Sequence, residues 1–495
     1  MQRGGRSGEG RGTGLKVLFV SPEIHPLAKT GGLADVAGSL PLALKELGCD
    51  VRVVMPRYRA VRASLDYVAD FAVPMGRGIV ETAVVKESRL EQGVPAYLIE
   101  CYRYFDRPSL YGYPDDAERF GFFCRAVLEA LDKVEWEPAI IHCHDWQSAL
   151  LPAYLKLFYK KEGRHSSVRT VFTIHNVEYQ GRFGPEAMDA LGLPWELFNP
   201  DGIEFYGSVN LMKAGILFSD IVNTVSESYA REIQTPEFGG GLDGFLRAHS
   251  RKLRGILNGL DYNLWDPERD AALEQRFGLR SVGLRARNKI ALQRELALLE
   301  APDAFLLGFV SRLTVQKGLD ILAPALPRIL VPGTQMVALG TGDEGYMSMM
   351  KALAEEYPDN LRVVLDFDDR LARRIYASCD AFLMPSKYEP CGLGQMISLR
   401  YGAIPIVRRT GGLADTVIDA SRPDGNGFVF DDYTPAAFVE AVERARTLFR
   451  DPDRWRALVL RGMAADFSWR ASARRYLEVY EEAMGGSDEL ADQYP

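Results

Sequence analysis

Short apolar runs bounded by turn residues alternate along this chain with helix-like segments, and no other feature constrains its fold as strongly. The first series reads "LKVLFVS", "VRVVMP", "AYLIEC", "AIIHCHD", "TVFTIHN" and "IVNTVS", with "LADVAGSLPLALKELG" and "AERFGFFCRAVLEALDKV" among the segments between. Runs that are apolar on both faces are strands buried in a parallel sheet, and helical crossovers join such strands. The pattern restarts after "GILNGLDYNLWDP" with "FLLGFVSRL", "QMVALGTG", "LRVVLDF", "AFLMPS", "IPIVRR" and "NGFVF". At 495 residues and 47% hydrophobic the chain fills more than one core, because single cores stop growing near about 250–300 residues. The class is therefore α/β, with two Rossmann-like doubly wound parallel-sheet domains facing across a cleft. The boundary is expected near Asn258 to Pro267, giving a leader over 1–14, domains over 15–257 and 258–467, a helix over 468–485 and a tail over 486–495. That helix, "SWRASARRYLEVYEEAM", follows the last strand with no new sheet to join, so it is expected to pack back on the first domain.

Charge and cysteine usage narrow the partners. Lys+Arg 59 against Asp+Glu 67 gives a net charge of −8, which disfavours nucleic acid held by phosphate neutralisation. An anionic small substrate needs a local cluster of cations instead. The six cysteines are scattered without paired metal spacing, and the plain reading is a reduced, cytoplasmic protein. The leader "MQRGGRSGEGRGTG" has no apolar stretch and reads as a disordered tail rather than a signal peptide. No apolar run approaches the roughly 18–20 residues of a membrane span. The sequence sets no oligomeric state.

One phrase occurs twice: "KTGGLADV" from Lys29 and "RTGGLADT" from Arg409. Each follows a strand, and Gly31 and Gly32 let the backbone turn tightly into a helix whose first amides attract anions. The alternative is a convenient strand-to-helix turn and nothing more. "SRLTVQKG" closes the first strand of the second domain with Arg312 and Lys317, a fork and a point charge able to converge on one diphosphate. In "PSKYEPCGLGQMISL", Glu389 precedes a proline suited to the first helical position, so Glu389 reads as a cap with free amides at Cys391, Gly392 and Leu393. A carboxylate beside open amides suits a polyhydroxylated ring. "IIHCHDW" places Asp145 at a strand end beside His142 and His144; no accompanying zinc spacing supports a metal, so none is expected. His175 ends the next strand in "FTIHNVEYQG". A literal G-x-G-x-x-G at Gly340, Gly342 and Gly345 keeps a dinucleotide oxidoreductase in view, but Asp343 and Glu344 put carboxylates where a pyrophosphate would lie.

Taken together, "KTGGLADVAGSLP", "YFDRPSLYG", "DDAERFGFF", "HCHDWQSAL", "TIHNVEYQG", "TPEFGGGLDGFL", "LNGLDYNLWDP", "SRLTVQKGLD", "PSKYEPCGLGQ", "RRTGGLADTV" and "FSWRASARRY" closely resemble bacterial-type glycogen synthases and plant starch synthases. The resemblance runs in family order from about Lys16 to Met484. It implies the GT-B architecture and transfer of glucose from ADP-glucose to the non-reducing end of an α-1,4-glucan, with retention of configuration, release of ADP, and no resident cofactor or metal. It implies that Lys29, with the Gly31–Gly32 loop, contacts the donor diphosphate, which Arg312 and Lys317 hold from the other side. Glu389 and the amides of Cys391, Gly392 and Leu393 would hold hydroxyls of the glucose. His175, Asp145 and Asn258 would line the reaction centre, and Phe367 would stack on the base. The chain departs from the family pattern at Gly394, Asp366 and Asp369, and Ile397 stands where sister families place an acid for the ribose. Glucan phosphorylase shares the architecture, but no stretch resembles its pyridoxal-phosphate lysine site; a catalytically silent glucan-binding protein is disfavoured by the full set of cations and Glu389.

Overall fold

The computed structural model describes residues 14–486, so the expected leader and tail, apart from Gly14 and Gly486, lie outside the described residues. The chain divides into two compact units. The first holds the described residues through Val225, then Ala230–Gly259, then the segment from Trp469; the second holds Leu260–Ser468 and the short piece Ser226–Tyr229.

In the first unit the strands are β1 (Lys16–Val20), β2 (Asp50–Pro56), β3 (Asp66–Pro74), β4 (Val80–Arg89), β5 (Pro95–Glu100), β6 (Ile140–His144), β7 (Arg169–Ile174), β8 (Arg182–Phe183), β9 (Glu204–Phe205), β10 (Ser208–Asn210), β11 (Ile221–Thr224) and β12 (Leu253–Gly255). The main sheet runs β12-β11-β7-β6-β1-β2-β5-β4-β3. Its pairings are parallel from β12 to β5, and β4 and β3 then add on antiparallel. The parallel strands are the solid apolar runs of the sequence; β6 is buried at every position. The β3–β4 pair escaped the sequence reading because much of it meets solvent, so no solid apolar run marks it. The small antiparallel sheet β8-β10-β9 escaped for its brevity.

The helix Trp469–Gly485 packs on the helix Gly32–Glu46 and on β7, as its lack of a sheet partner required. A buried polar chain fixes it. The Tyr480 hydroxyl lies 2.8 Å from Nδ1 of His142, whose Nε2 lies 2.6 Å from the Thr173 hydroxyl. Thr173 donates to Oδ1 of Asn223 at 2.6 Å, and the Asn223 amide donates to the Tyr476 hydroxyl at 3.3 Å. Since the Thr173 proton is committed to Asn223, His142 carries its own proton on Nε2 and accepts from Tyr480 on Nδ1. Burial holds His142 neutral, its pKa pushed down to about 3. Three adjacent strands thus each offer one polar side chain to the helix, and each chain member is satisfied. Both nitrogens of His142 are consumed this way, which removes it as half of an H-x-H metal pair.

The second unit is a six-stranded, wholly parallel sheet of β13 (Phe305–Val310), β14 (Thr334–Leu339), β15 (Leu361–Val364), β16 (Ala381–Met384), β17 (Ile404–Arg408) and β18 (Phe428–Phe430). Its order is β15-β14-β13-β16-β17-β18, so the direction of winding reverses between β13 and β16. The first unit reverses likewise between β1 and β6. Loops beyond the carboxyl ends of such strand pairs diverge and leave a crevice, which is where ligands bind in open α/β sheets.

Replacing Tyr480 with Phe leaves Nδ1 of His142 buried without its donor. Urea unfolding monitored by circular dichroism should show a loss of about 1–3 kcal/mol; an unchanged midpoint would mean the bond contributes nothing.

Candidate active site

The second unit's crevice is built by two loops pressed together backbone to backbone. After β13 the chain passes Ser311 and Arg312 into a single turn, Val315–Lys317, that ends at Gly318 with φ 77°. A Cβ at Gly318 would lie 2.0 Å from the carbonyl oxygen of Pro385, so only glycine lets this loop reach the loop after β16. The Lys387 amide donates to the Gln316 carbonyl at 2.8 Å and ties the loops together. In consequence the Lys317 ammonium stands 2.5 Å from a carboxylate oxygen of Glu389, which also accepts from the Ser386 hydroxyl at 3.0 Å. Glu389 is 6% exposed. The Arg312 guanidinium is exposed and pairs with no carboxylate among the described residues. Arg312, Lys317, Ser386, Glu389, Gly392 and Leu393 line a cavity of about 240 Å³.

The helix after Glu389 starts later than its sequence suggests. It spans Gly394–Arg400 with Leu393 at the cap, so Pro390 is not its first residue and Glu389 is no cap. Gly392, with φ 72°, breaks the helical path and extends the turn. The Gln395 amide donates to the carbonyls of Cys391 and Gly392, both at 3.0 Å, and pins the turn from below. That leaves the N–H groups of Gly392 and Leu393 with no acceptor among the described residues. The Cys391 side chain is buried. Phe367, in the loop after β15, holds its ring 86% exposed.

The two copies of the repeated phrase do different things. In the second, a Cβ at Gly411 would meet the Glu389 carbonyl oxygen at 1.9 Å and one at Gly412 would meet that of Cys391 at 2.0 Å. The Gly412 amide donates to the carbonyl of Glu389 at 3.1 Å. This copy is a seat for the Glu389 turn, not an anion site. The first two glycines of the G-x-G-x-x-G run are seats as well, while a Cβ on the third, Gly345, would meet nothing within 4 Å. A Cβ on Gly340 or Gly342 would meet the carbonyl oxygen of Ser311 or Leu313 at 1.8 and 2.2 Å, so they support the Arg312 loop and hold no dinucleotide.

In the first copy, a Cβ on Gly31 or Gly32 would meet nothing within 4 Å. Two amides of this turn are already taken, since those of Thr30 and Gly31 donate to the carboxylate of Glu23, whereas that of Gly32, the first helical residue, has no acceptor among the described residues. Lys29 is exposed and held to Asp35 at 2.7 Å.

Asp145 follows β6 with φ 56° and ψ 177°, a conformation costly for any residue with a Cβ. The bend aims its carboxylate across to the end of β7, where it accepts from the His175 amide at 2.8 Å. Burial raises the Asp145 pKa to about 7, the nearby negative charge of Glu23 adds to that, and the amides of His175 and Asn176 pull it back. The ring of His175 meets Nδ1 of His144 at 3.0 Å through Nε2. Burial drives His175 down to about 3, so it acts as a neutral hydrogen-bonding group at pH 7. Asn258 is buried with Oδ1 unpartnered. Among the described residues no three His, Cys, Asp or Glu side chains are grouped to hold a metal ion.

Sequence reasoning missed Glu23, Tyr111 and Ser386. Glu23 had one signal, its place just beyond the first apolar strand run; Tyr111 and Ser386 lie inside the quoted stretches "YFDRPSLYG" and "PSKYEPCGLGQ", but nothing local marks either hydroxyl as a carboxylate's partner, 88 residues away for Tyr111 and three for Ser386.

Residues 16–248 match the family model described as starch synthase catalytic domain, and residues 296–456 match glycosyl transferases group 1. The protein is thus a glycosyltransferase. A glycogen synthase of Moorella thermoacetica is 51% identical over 475 residues, covering 95% of this chain and 97% of its own. One from Geotalea uraniireducens is 48% identical over 495 residues, covering 95% and 99%. The solved catalytic domain of starch synthase IV from Arabidopsis thaliana, bound to ADP and acarbose, matches with a TM-score of 0.87 and 36% identity over 96% of this chain and 100% of that one. The chain belongs to the glycogen synthase and starch synthase family, enzymes that work with a nucleotide-sugar donor and a glucan acceptor. No helix among the described residues is long and apolar enough to cross a membrane.

Two outcomes follow from the contacts. Gly412→Ala should dislodge the Glu389 turn and lower both melting temperature and turnover, whereas Gly31→Ala, which meets open space, should leave the melting temperature unchanged; equal melting temperatures for the two variants would contradict the assignment. Asp145 folds with a raised pKa, so its contribution to stability is full below its unfolded value of about 3.9 and is lost as pH rises through about 7. Asp145→Asn should therefore melt a few degrees above the parent at pH 8 with little difference near pH 4, read by scanning calorimetry at both.

Proposed function

We propose that the protein transfers glucose from ADP-glucose to the non-reducing end of an α-1,4-glucan, retaining the anomeric configuration and releasing ADP. The observation that carries this reading is the ion pair of Lys317 with Glu389 beside the unpaired Arg312, set at the reversal of winding of a parallel sheet. As the glycosidic C–O bond breaks, negative charge grows on the leaving diphosphate, and preorganised cations stabilise it most where water is scarce. Arg312 offers a planar fork and Lys317 a compact ammonium. A donor phosphate competes with Glu389 for Lys317, so binding loosens the pair and frees carboxylate oxygens for sugar hydroxyls. The open amides of Gly392 and Leu393 are donors for the same ring or its phosphate. Asp145, His175 and Asn258 are the first unit's groups for the sugar, and Lys29 is a further cation for the donor.

The adenine preference is supported by the ADP in the starch synthase IV structure and by the exposed Phe367 ring, a surface for a base to stack on. Glu389 serves as an electrostatic and hydroxyl-binding group while the departing phosphate guides the acceptor to the same face of the ring. Side-chain cations fill the place a divalent metal takes in other phosphate-releasing enzymes, so the proposal includes no metal or cofactor.

The test offers labelled ADP-glucose and UDP-glucose in parallel with glycogen. Label is expected to enter polymer chiefly from ADP-glucose; preferential incorporation from UDP-glucose, or none from either, overturns the reading. Glu389→Ala should lower kcat by about 100-fold or more while the KM for ADP-glucose changes far less. Near-normal turnover would remove Glu389 from the reaction.

A further inference from the structure

Glu23 lies just beyond β1, at the first unit's own reversal of winding, and its side chain is 4% exposed. Its Oε2 accepts from the amides of Thr30 and Gly31, the latter at 3.3 Å, and its Oε1 from the Thr30 hydroxyl at 2.8 Å and the Tyr111 hydroxyl at 3.1 Å. No lysine or arginine pairs with it among the described residues. A buried carboxylate without a cation is unfavourable unless hydrogen bonds replace its water. Here the replacement comes from the residues just ahead of the 15-residue helix Gly32–Glu46, whose N-terminal end favours negative charge. The Ser21 hydroxyl donates to the Glu23 carbonyl at 2.7 Å and a short antiparallel contact of Ile24 with Ala28 closes the intervening chain, so both ends of the carboxylate's reach are fixed.

Two of the amides that such a helix start would offer a ligand's phosphate are thereby committed to the protein's own anion. We infer that Glu23 is a positioning residue, a built-in counter-anion that shapes the glycine loop, withholds the Thr30 and Gly31 amides from the donor's phosphates, and turns the bare edge of Gly31 and Gly32 toward the substrate. This rests on the proposed glucosyl transfer only for its catalytic consequence. The loop then meets the donor with Lys29, its bare glycine edge and the amide of Gly32, not with the two amides that Glu23 holds. Tyr111 is the second point of support, since it ties the same carboxylate to a segment 88 residues further along the chain.

Removing the carboxylate leaves a vacancy lined by two amides and two hydroxyls that a small carboxylate can refill. Glu23→Ala should lose about tenfold to a hundredfold in kcat, the scale expected when a binding loop is misplaced by about an ångström. Sodium formate should restore at least part of that turnover and raise the variant's melting temperature, while sodium chloride at equal ionic strength does neither and the parent responds to neither salt. The melting measurement needs no donor or acceptor, so it is read independently of whether glucose is the group transferred. Glu23→Gln, which keeps one acceptor and fills the space, should fold like the parent, lose turnover with little change in KM for ADP-glucose, and gain nothing from formate. Turnover of Glu23→Ala within twofold of the parent, or a loss that formate relieves in neither activity nor melting, overturns the inference; if the alanine variant does not fold, full turnover of Glu23→Gln does so.

Discussion

Lys317 and Glu389 come from loops separated by 72 residues of chain, yet their charged groups lie 2.5 Å apart with the carboxylate nearly buried. Such a pair persists only where the surrounding backbone leaves neither partner another choice, because desolvation consumes most of what their attraction provides. The second unit meets that demand with close backbone contacts. Gly318 lies against Pro385, Gly411 and Gly412 against Glu389 and Cys391, and Gly340 and Gly342 against the loop that carries Arg312. Each is a contact that any Cβ would block. A cation and an acid are thereby held face to face by the backbone around them.

The first unit solves a related problem with the opposite economy. Among the described residues its strand-end acids, Glu23 and Asp145, have no basic partners and are held by amides and hydroxyls. Hydrogen bonds to backbone satisfy a carboxylate without fixing a cation beside it, so burial raises the pKa of Asp145 and the charge of Glu23 adds to that rise, with only the backbone amides pulling it back. The neighbouring histidines are driven neutral by burial and add no compensating charge.

Much of this was legible in the sequence. Buried parallel strands are apolar on both faces, and every run quoted from the sequence is a strand; the helix without a sheet of its own packs on the first unit. The antiparallel pair of β3 and β4 was not legible, since one face meets water and the other is broken by charged residues. Arg312, Lys317 and Glu389 could be named because ligands in such sheets sit beyond the carboxyl ends of strands, and each of the three follows an apolar run; that two of those runs flank the reversal of winding came only with the strand order. Their mutual contact could not, and the cap assigned to Glu389 failed because Gly392 delays the helix by a turn that composition alone does not reveal.

The repeated phrase shows where the division falls. Local sequence determined that both copies are strand-to-helix turns, because glycine pairs after apolar strands permit little else. Only the tertiary structure decided that one copy is a seat for the Glu389 turn and the other an open edge closed from behind by Glu23. The physical reason is that a glycine's value lies in what approaches it, and that neighbour comes from chain far away: carbonyl oxygens at 1.9 and 2.0 Å from an imagined Cβ in one case, empty space in the other.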